Sequence, residues 1–269
     1  MIIDAHLHCS GQESGDQVLR SLDEAEVDVG VLLAPLFGSR YSRNHRDSVR
    51  AANAWLGELV RAAPDRMVGF AVVNPLHAEA VDDLTEAVER HLLRGLKLVP
   101  SGWYPYDDCA LRVYERASAL DLPVLFHSGI FIDGRSGRFC RPVFYEAIRD
   151  FPRLHAVLAH LGWPWCDEAN AVGVIDLING VPPPESQFRF DISFGPPPVY
   201  RQAVLSNALA VLGPQLLQFG SDRFLPCEGC HIKKAIRDVV AIFDALEVSR
   251  EAREHIMGTT AARWLRLSS

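Results

Sequence analysis

Two histidines near the start of the sequence are spaced so that they could bind one metal ion. His6 and His8 are separated by one residue in the run Asp4-Ala5-His6-Leu7-His8. Residues two apart on an extended chain point to the same side, so both imidazoles could reach one ion. Taken alone, the pair is weak evidence for a metal site, because two buried histidines that only form hydrogen bonds would give the same pattern.

Three further polar residues strengthen the case. His127, His160 and Asp222 each end a short apolar run, as the first pair does. If these runs are parallel strands of one barrel, their carboxyl ends share one mouth, where four histidines and a carboxylate converge. Imidazole nitrogen and carboxylate oxygen are ligands of zinc and similar divalent ions. The sequence therefore predicts a divalent metal site, with zinc as the first choice and manganese as the alternative.

Eight short apolar runs alternate with longer amphipathic segments along the whole chain. The runs are nearly continuous in apolar residues, which is typical of strands buried on both faces. The intervening segments carry apolar residues three and four positions apart, the spacing of an amphipathic helix. We predict strands at residues 2–6, 29–33, 67–73, 95–99, 124–128, 155–160, 188–193 and 216–222.

This order predicts the α/β class and a (β/α)₈ TIM barrel that forms a single domain over residues 1–269. A terminal helix around residues 250–265 would cap the barrel. A doubly wound open sheet is the competing architecture. It is disfavoured because no Gly-x-Gly-x-x-Gly phosphate loop follows the first strand.

Composition indicates small-molecule chemistry. The net charge is −7, so phosphate-rich partners such as nucleic acid or an anionic membrane are not expected. No secretion signal and no apolar run of membrane-spanning length occur, so we expect a cytoplasmic protein, with a homodimer as a candidate assembly. The six cysteines suit reduced thiols. Cys227-Glu-Gly-Cys230-His231 matches the pattern of c-type haem attachment, which we interpret as coincidence, with a local metal or redox role as the alternative.

Several motifs together resemble the amidohydrolase superfamily, and more narrowly its amidohydrolase 2 branch. That branch includes aminocarboxymuconate-semialdehyde decarboxylase, resorcylate decarboxylases and pyrone-dicarboxylate lactonase. The resemblance covers essentially the whole chain. It rests on DAHLH at residues 4–8, GLKLVP at 95–100, FHSG at 126–129, LAHLG at 158–162, FGSD at 219–222 and IMGTTAAR at 256–263.

The resemblance implies one metal ion held by His6, His8, His127 and Asp222. Asp222 would also take up a proton from the attacking water, and His160 would carry that proton or orient the water. Lys97 lies where two-metal relatives carry a bridging carbamylated lysine. In this branch the lysine of the Gly-x-Lys motif is usually structural, and we expect the same here.

Substrate-binding residues are expected after other strand ends. Arg40, Arg43 and Arg46 follow the second predicted strand and could bind substrate carboxylates, with ordinary surface charge as the equal alternative. Trp103 and Trp163 could form the wall of a pocket for a planar or cyclic substrate, or pack at the barrel rim.

The loop after the first strand is short, at residues 11–15, whereas decarboxylases of the branch usually carry an extended insertion there. We therefore predict a metal-dependent hydrolase that cleaves an amide, lactone or ester bond in a small carboxylated or cyclic substrate. Two alternatives stay open. One is a metal-dependent, non-oxidative decarboxylase of an aromatic or muconate-type acid, and the other is a non-catalytic barrel that binds a ligand.

Overall fold

The computed structural model describes residues 1–36, 41–131, 133–193 and 197–267. Within these ranges, short parallel strands form one sheet in the order β8-β7-β6-β5-β4-β3-β2-β1-β9. The strands are β1 (Ile3–His8), β2 (Val29–Leu33), β3 (Met67–Val72), β4 (Gly95–Leu98), β5 (Val124–Phe126), β6 (Ala156–Leu158), β7 (Phe188–Asp191), β8 (Leu217–Gln218) and β9 (Arg223–Phe224). The order of strands along the chain is that predicted.

The last strand is divided into two short halves: β8 lies within the predicted range of residues 216–222, and β9 follows directly after it. β8 pairs with β7, whereas β9 pairs with β1, where Leu7 is the register partner of Arg223. Between them, the backbone N–H of Asp222 donates to the carbonyl of His6 at 2.9 Å. The two halves therefore join the last strand to the first, and the (β/α)₈ barrel is confirmed.

Helices connect the strands and cover the outside of the barrel. The α-helices are α1 (Gly15–Glu24), α2 (Arg46–Val60), α3 (Ala80–Glu89), α4 (Asp108–Ala119), α5 (Cys166–Ile178), α6 (Pro198–Leu212), α7 (Gly229–Ala245), α8 (Arg250–Glu254) and α9 (Thr260–Leu265). A 3₁₀ helix at Pro142–Asp150 takes the place of an α-helix between β5 and β6. A π-helical turn at His255–Thr259 joins α8 to α9, so the terminal helix is confirmed. Among the described helices, none has the length and apolar character needed to cross a bilayer.

A change of register in β1 places the histidines. Its pairing with β2 shifts between Asp4 and Leu7. Ile3 packs in the inner cluster of the barrel with β-strand residues and Trp264 of α9, whereas Leu7 packs with the outer layer of strands and helices. Strict alternation would put Ile3 and Leu7 on one face. The irregularity breaks that alternation, which lets His6 and His8 face the barrel mouth.

Candidate metal centre

His6, His8 and Asp222 meet at the carboxyl ends of the strands. Nε2 of His6 lies 3.2 Å from Nε2 of His8. Oδ1 of Asp222 lies 3.1 Å from Nε2 of His8 and 3.4 Å from Nε2 of His6. The three atoms could bind a single ion, one from each side chain.

Asp191 fixes the orientation of His6. Nδ1 of His6 donates to Oδ2 of Asp191 over 2.6 Å, and both side chains are fully buried. With its proton on Nδ1, the ring keeps a lone pair on Nε2, which is the atom that faces His8 and Asp222. His6, His160 and Asp191 also come close enough to form a ligand group. Because Asp191 already accepts the Nδ1 proton, the geometry favours the group with His8 and Asp222.

Asp4 ties the loop that carries Asp222 to the first strand. Its Oδ1 accepts a hydrogen bond from the backbone N–H of Ser221 at 2.8 Å and another from that of His6 at 3.2 Å. Asp222 itself has a left-handed backbone with φ of 54°. A non-glycine residue pays about 1–2 kcal/mol for that conformation, so the surrounding contacts must hold it in place.

His160 lies beside this group. Its ring stacks on that of His6 with centroids 5.4 Å apart, and its Nδ1 lies 2.8 Å from Oγ of Ser193. The residue follows β6 in a left-handed conformation, with φ of 61°. Burial lowers the pKa of His160 to about 4, so the ring is neutral at physiological pH.

His127 lies next to His160 rather than within the three-residue group. The two ring centroids are 5.1 Å apart, and the His127 ring stacks on Phe131 at 4.1 Å. Its Nε2 is buried and has no hydrogen-bond partner among the described residues. A buried ring nitrogen of this kind is free to bind a further atom, which fits the predicted role as a fourth ligand. That role stays a prediction.

Lys97 reaches into the same group from β4. Its Nζ lies 3.2 Å from Nε2 of His6, and the side chain is buried. Burial lowers the pKa of Lys97 to about 8, although the carboxylates of Asp191 and Asp222 act in the opposite direction. Lys97 thus adds a positive charge beside the donor atoms, a contact that the expectation of a structural lysine did not include.

The electrostatics of the donors suit a metal ion. Burial lowers the pKa of His6, of His8 and of His127, which keeps their rings neutral and able to coordinate. Burial raises the pKa of Asp222, but His6 and His160 lower it more, so the pKa lies well below its usual range. The donor set is therefore two or three neutral imidazoles and one carboxylate, which fits zinc or a similar divalent ion.

A family comparison agrees with this geometry. The model of the amidohydrolase 2 branch, described as "Amidohydrolase", matches residues 3–267. The chain belongs to the amidohydrolase family. No curated protein matches the sequence.

Solved structures share the fold of this amidohydrolase. 2,6-Dihydroxybenzoate decarboxylase from Rhizobium is 16% identical with a TM-score of 0.71, over 100% of this chain and 99% of that chain. An amidohydrolase from Burkholderia multivorans with bound zinc is 17% identical with a TM-score of 0.69, over 100% of each. A protein of Acinetobacter baumannii, described as a probable 2-pyrone-4,6-dicarboxylic acid hydrolase, is 15% identical with a TM-score of 0.65, over 99% of each. At such identities the likeness concerns the fold alone.

Two of the predicted substrate residues line one cleft of the amidohydrolase. Arg43 and Trp103 border it together with Lys97, which links the cleft to His6. Nη2 of Arg43 donates to Oγ of Ser101 at 2.7 Å, whereas Nη1 is buried without a partner among the described residues. An unpaired buried guanidinium nitrogen is suited to binding an anionic group.

The other predicted substrate residues are placed differently. Arg40 lies outside the described residues. Trp163 is half-buried, and its carbonyl accepts a hydrogen bond from the backbone N–H of Ile130 at 3.0 Å. Arg46 donates three hydrogen bonds to the carboxylate of Asp83 in α3, at 3.1, 3.0 and 2.8 Å. This ion pair agrees with the alternative of ordinary surface charge, and a substrate contact of Arg46 stays a prediction.

The cysteine motif is separate from the metal centre. Cys227 is half-buried, and Cys230 is an exposed free thiol at the start of α7. Neither belongs to a group of three potential ligands within the described ranges.

The sequence analysis does not predict a role for Asp191, and it does not predict that Lys97 contacts His6. Both are charged residues inside short, otherwise apolar strands, in Phe188–Asp191 and Gly95–Leu98. Charged side chains are rarely buried without a specific partner. A charged residue within an apolar strand is therefore the feature of the sequence that could have identified both residues.

Proposed function

We propose that this member of the amidohydrolase family is a metal-dependent hydrolase that cleaves an amide, lactone or ester bond in a small carboxylated or cyclic compound. The observation that carries the proposal is the approach of Oδ1 of Asp222 to both Nε2 atoms, at 3.1 Å from His8 and 3.4 Å from His6. One carboxylate can thereby border the ion and accept a proton from water beside it.

His6, His8 and Asp222 would hold the ion, with His127 as the fourth ligand. A divalent ion bound there supplies Lewis acidity, which makes water a nucleophile near neutral pH. Asp191 keeps the Nε2 lone pair of His6 available to the ion.

The side chains of the site can move the protons of a hydrolysis. The water oxygen forms a bond to the carbonyl carbon, and the carbonyl electron pair moves to its oxygen. Asp222 accepts the proton that the water loses. When the C–N or C–O bond breaks, the leaving nitrogen or oxygen needs that proton. His160, with its Nδ1 engaged by Ser193, has its Nε2 available to relay it.

Arg43 supports a substrate that carries a carboxylate. Arg43 lines the narrow cleft that also includes Lys97, and its Nη1 is buried without a partner among the described residues. The two cations would hold a carboxylate while the bond to be cleaved lies beside Asp222. A guanidinium suits this role because it can bind a carboxylate through two parallel hydrogen bonds.

Decarboxylation is the second candidate, and the same cleft is the observation that favours it. A carboxylate held beside Lys97 would lie close to His6. When its C–C bond breaks and carbon dioxide leaves, the bonding electron pair stays on the substrate carbon, which takes up a proton from solvent. Similar folds include a 2,6-dihydroxybenzoate decarboxylase, and that enzyme matches over 99% of its own length.

Metal content tests the shared part of both candidates. The purified protein should take up close to one equivalent of zinc or manganese, measured by elemental analysis after dialysis. His8→Ala should take up far less. His91→Ala is the matched control, since His91 is half-exposed and lies away from the barrel mouth. Less than a tenth of an equivalent in the unmutated protein would exclude a metal-dependent reaction.

Isotope labelling separates the two reactions. A 2-pyrone dicarboxylate and a dihydroxybenzoate are incubated with the metal-loaded protein in ¹⁸O water. Hydrolysis places one ¹⁸O in the new carboxyl group, which mass spectrometry detects. Carbon dioxide release without ¹⁸O in the remaining product would reject hydrolysis in favour of decarboxylation. Binding of these acids with no turnover by a metal-loaded protein would favour the non-catalytic barrel.

A further inference from the structure

A second polar cleft lies at the end of the barrel opposite the metal centre. Its volume is about 170 Å³, well above the roughly 30 Å³ that one water molecule occupies in the liquid. Its walls come from residues before β5 and β6, from the start of β7 and from the end of the chain. They are Leu122, Pro123, His155, Pro184, Arg189, Arg263, Trp264 and Arg266.

Arg189 is the buried cation of this cleft. Its side chain is on β7, with only 3% of the residue exposed. Nη1 donates to the carbonyl of Ser186 at 3.1 Å and Nη2 to the carbonyl of Pro184 at 2.8 Å. Carbonyl groups orient the guanidinium but do not neutralise it. Burial and, to a smaller extent, the positive charge of Arg263 lower the pKa of Arg189 to about 10. The guanidinium therefore stays charged at neutral pH.

The cleft has an excess of positive charge. Arg266 pairs with Asp121. In the described part of the chain, neither Arg189 nor the exposed Arg263 forms an ion pair with a carboxylate. Three guanidinium groups thus face one carboxylate, and two positive charges are left over. Folding seldom buries an unpaired charge, because its desolvation is costly unless a counter-charge is bound.

We propose that this cleft is a binding site for a doubly charged tetrahedral oxyanion, either inorganic phosphate or the terminal phosphate of a small molecule. Arg189 forms the fixed base of the site, and Arg263 closes over the anion from the surface. Guanidinium groups are suited to this ligand because they donate parallel hydrogen bonds to phosphate oxygens. His155 adds a ring to the wall of the site: its Nδ1 lies 3.1 Å from the carbonyl of Ser186.

The test is a titration of the purified protein with inorganic phosphate. Binding is measured by calorimetry and by the change in melting temperature, and sodium chloride at equal ionic strength is the reference. We expect saturable binding of phosphate and a rise in Tm. Arg263→Gln should weaken phosphate binding about tenfold or more, as for the loss of one charge-assisted contact. Arg237→Gln is the matched control, because Arg237 is an exposed arginine of α7 outside the cleft.

Further variants exclude binding elsewhere. His8→Ala removes a donor at the opposite mouth and should leave phosphate affinity unchanged. Because Arg189 is buried, Arg189→Met is at risk of not folding, and Arg263→Gln is therefore the variant that tests phosphate binding. Its Tm without phosphate shows whether it is folded. Glycerol 2-phosphate in place of phosphate shows whether an esterified phosphate is accepted. Equal affinity in Arg263→Gln and the unmutated protein, loss of binding in His8→Ala, or a Tm rise matched by sodium chloride would each overturn the proposal.

Discussion

Nδ1 of His6 and Oδ2 of Asp191 lie 2.6 Å apart, and neither side chain is exposed to solvent. This buried pair joins the first strand to the seventh across the barrel. It decides which nitrogen of His6 faces the candidate metal centre, since the proton on Nδ1 leaves Nε2 as the donor.

Asp191→Asn tests this relationship. The amide nearly keeps the shape of the side chain but loses the charge that holds the Nδ1 proton, so we expect zinc affinity to fall about 10- to 100-fold. The measurement is competition with a chromogenic chelator. Asp150→Asn, at an exposed position, should bind zinc as the unmutated protein does. Unchanged affinity in a folded Asp191→Asn variant would contradict the assigned role.

Arg43→Met tests the carboxylate contact of the proposed substrate. A charge-assisted hydrogen bond contributes about 1.5–3 kcal/mol, so kcat/KM for a carboxylated substrate should fall roughly 10- to 100-fold. For the methyl ester of that carboxylate, kcat/KM should change little between Arg43→Met and the unmutated protein, because the ester carries no charge for Arg43 to bind. Arg237→Met is the control for removal of an exposed arginine. An equal loss for acid and ester would place the role of Arg43 in folding rather than recognition.

Gly129→Ala tests the loop that follows His127. Gly129 has φ of +101°, and an added Cβ would lie 2.2 Å from the carbonyl oxygen of Trp163. We expect a loss of unfolding free energy of more than about 1–2 kcal/mol, the conformational cost alone, measured from urea denaturation. Gly134→Ala in the same loop is the matched control, because its φ is +81° but no atom lies within 4 Å of the added Cβ. Similar losses in the two variants would show that the contact with Trp163 contributes nothing.

Asp176 makes stability depend on pH. Burial raises its pKa, but hydrogen bonds from Ser186 and Arg149 lower it more, so the folded pKa lies below the ordinary value of 3.8. The stabilisation is therefore complete above the unfolded pKa and is lost as the pH falls through 3.8 toward the lower folded pKa. Asp176→Asn should cost about 1–3 kcal/mol at pH 7.

The measurement is the urea midpoint of both proteins between pH 7 and pH 3. The difference between them should shrink as the pH approaches 3, since acid removes the charge that the variant lacks. Asp150→Asn, which alters an exposed carboxylate, should follow the unmutated protein throughout. A constant difference across this range would mean that Asp176 contributes through packing rather than charge.

Local pattern was enough to predict much of this molecule. Continuous apolar runs marked the strands, and β2 agrees with its predicted bounds at both ends. Because parallel strands of a barrel end at one mouth, His6, His8, His160 and Asp222 could be placed together without knowing a single distance.

Other features depend on how the barrel closes. The register shift in β1 reverses which residues face inward, and no local signal in the sequence gives its position. Asp191 contacts His6 across 185 positions of sequence, and Lys97 contacts it across 91. Such contacts arise only when strands distant in sequence curl around one axis.

The amino-acid sequence by itself determined the alternation of strands and helices and the set of polar strand ends, because hydrophobic periodicity and strand direction are local properties. Tertiary structure decided which of those side chains meet. It placed Asp191 and Lys97 against His6, kept His127 beside His160, and gathered Arg189, Arg263 and Arg266 at the opposite end. Distances between strands depend on closure, register and twist, which belong to the whole barrel.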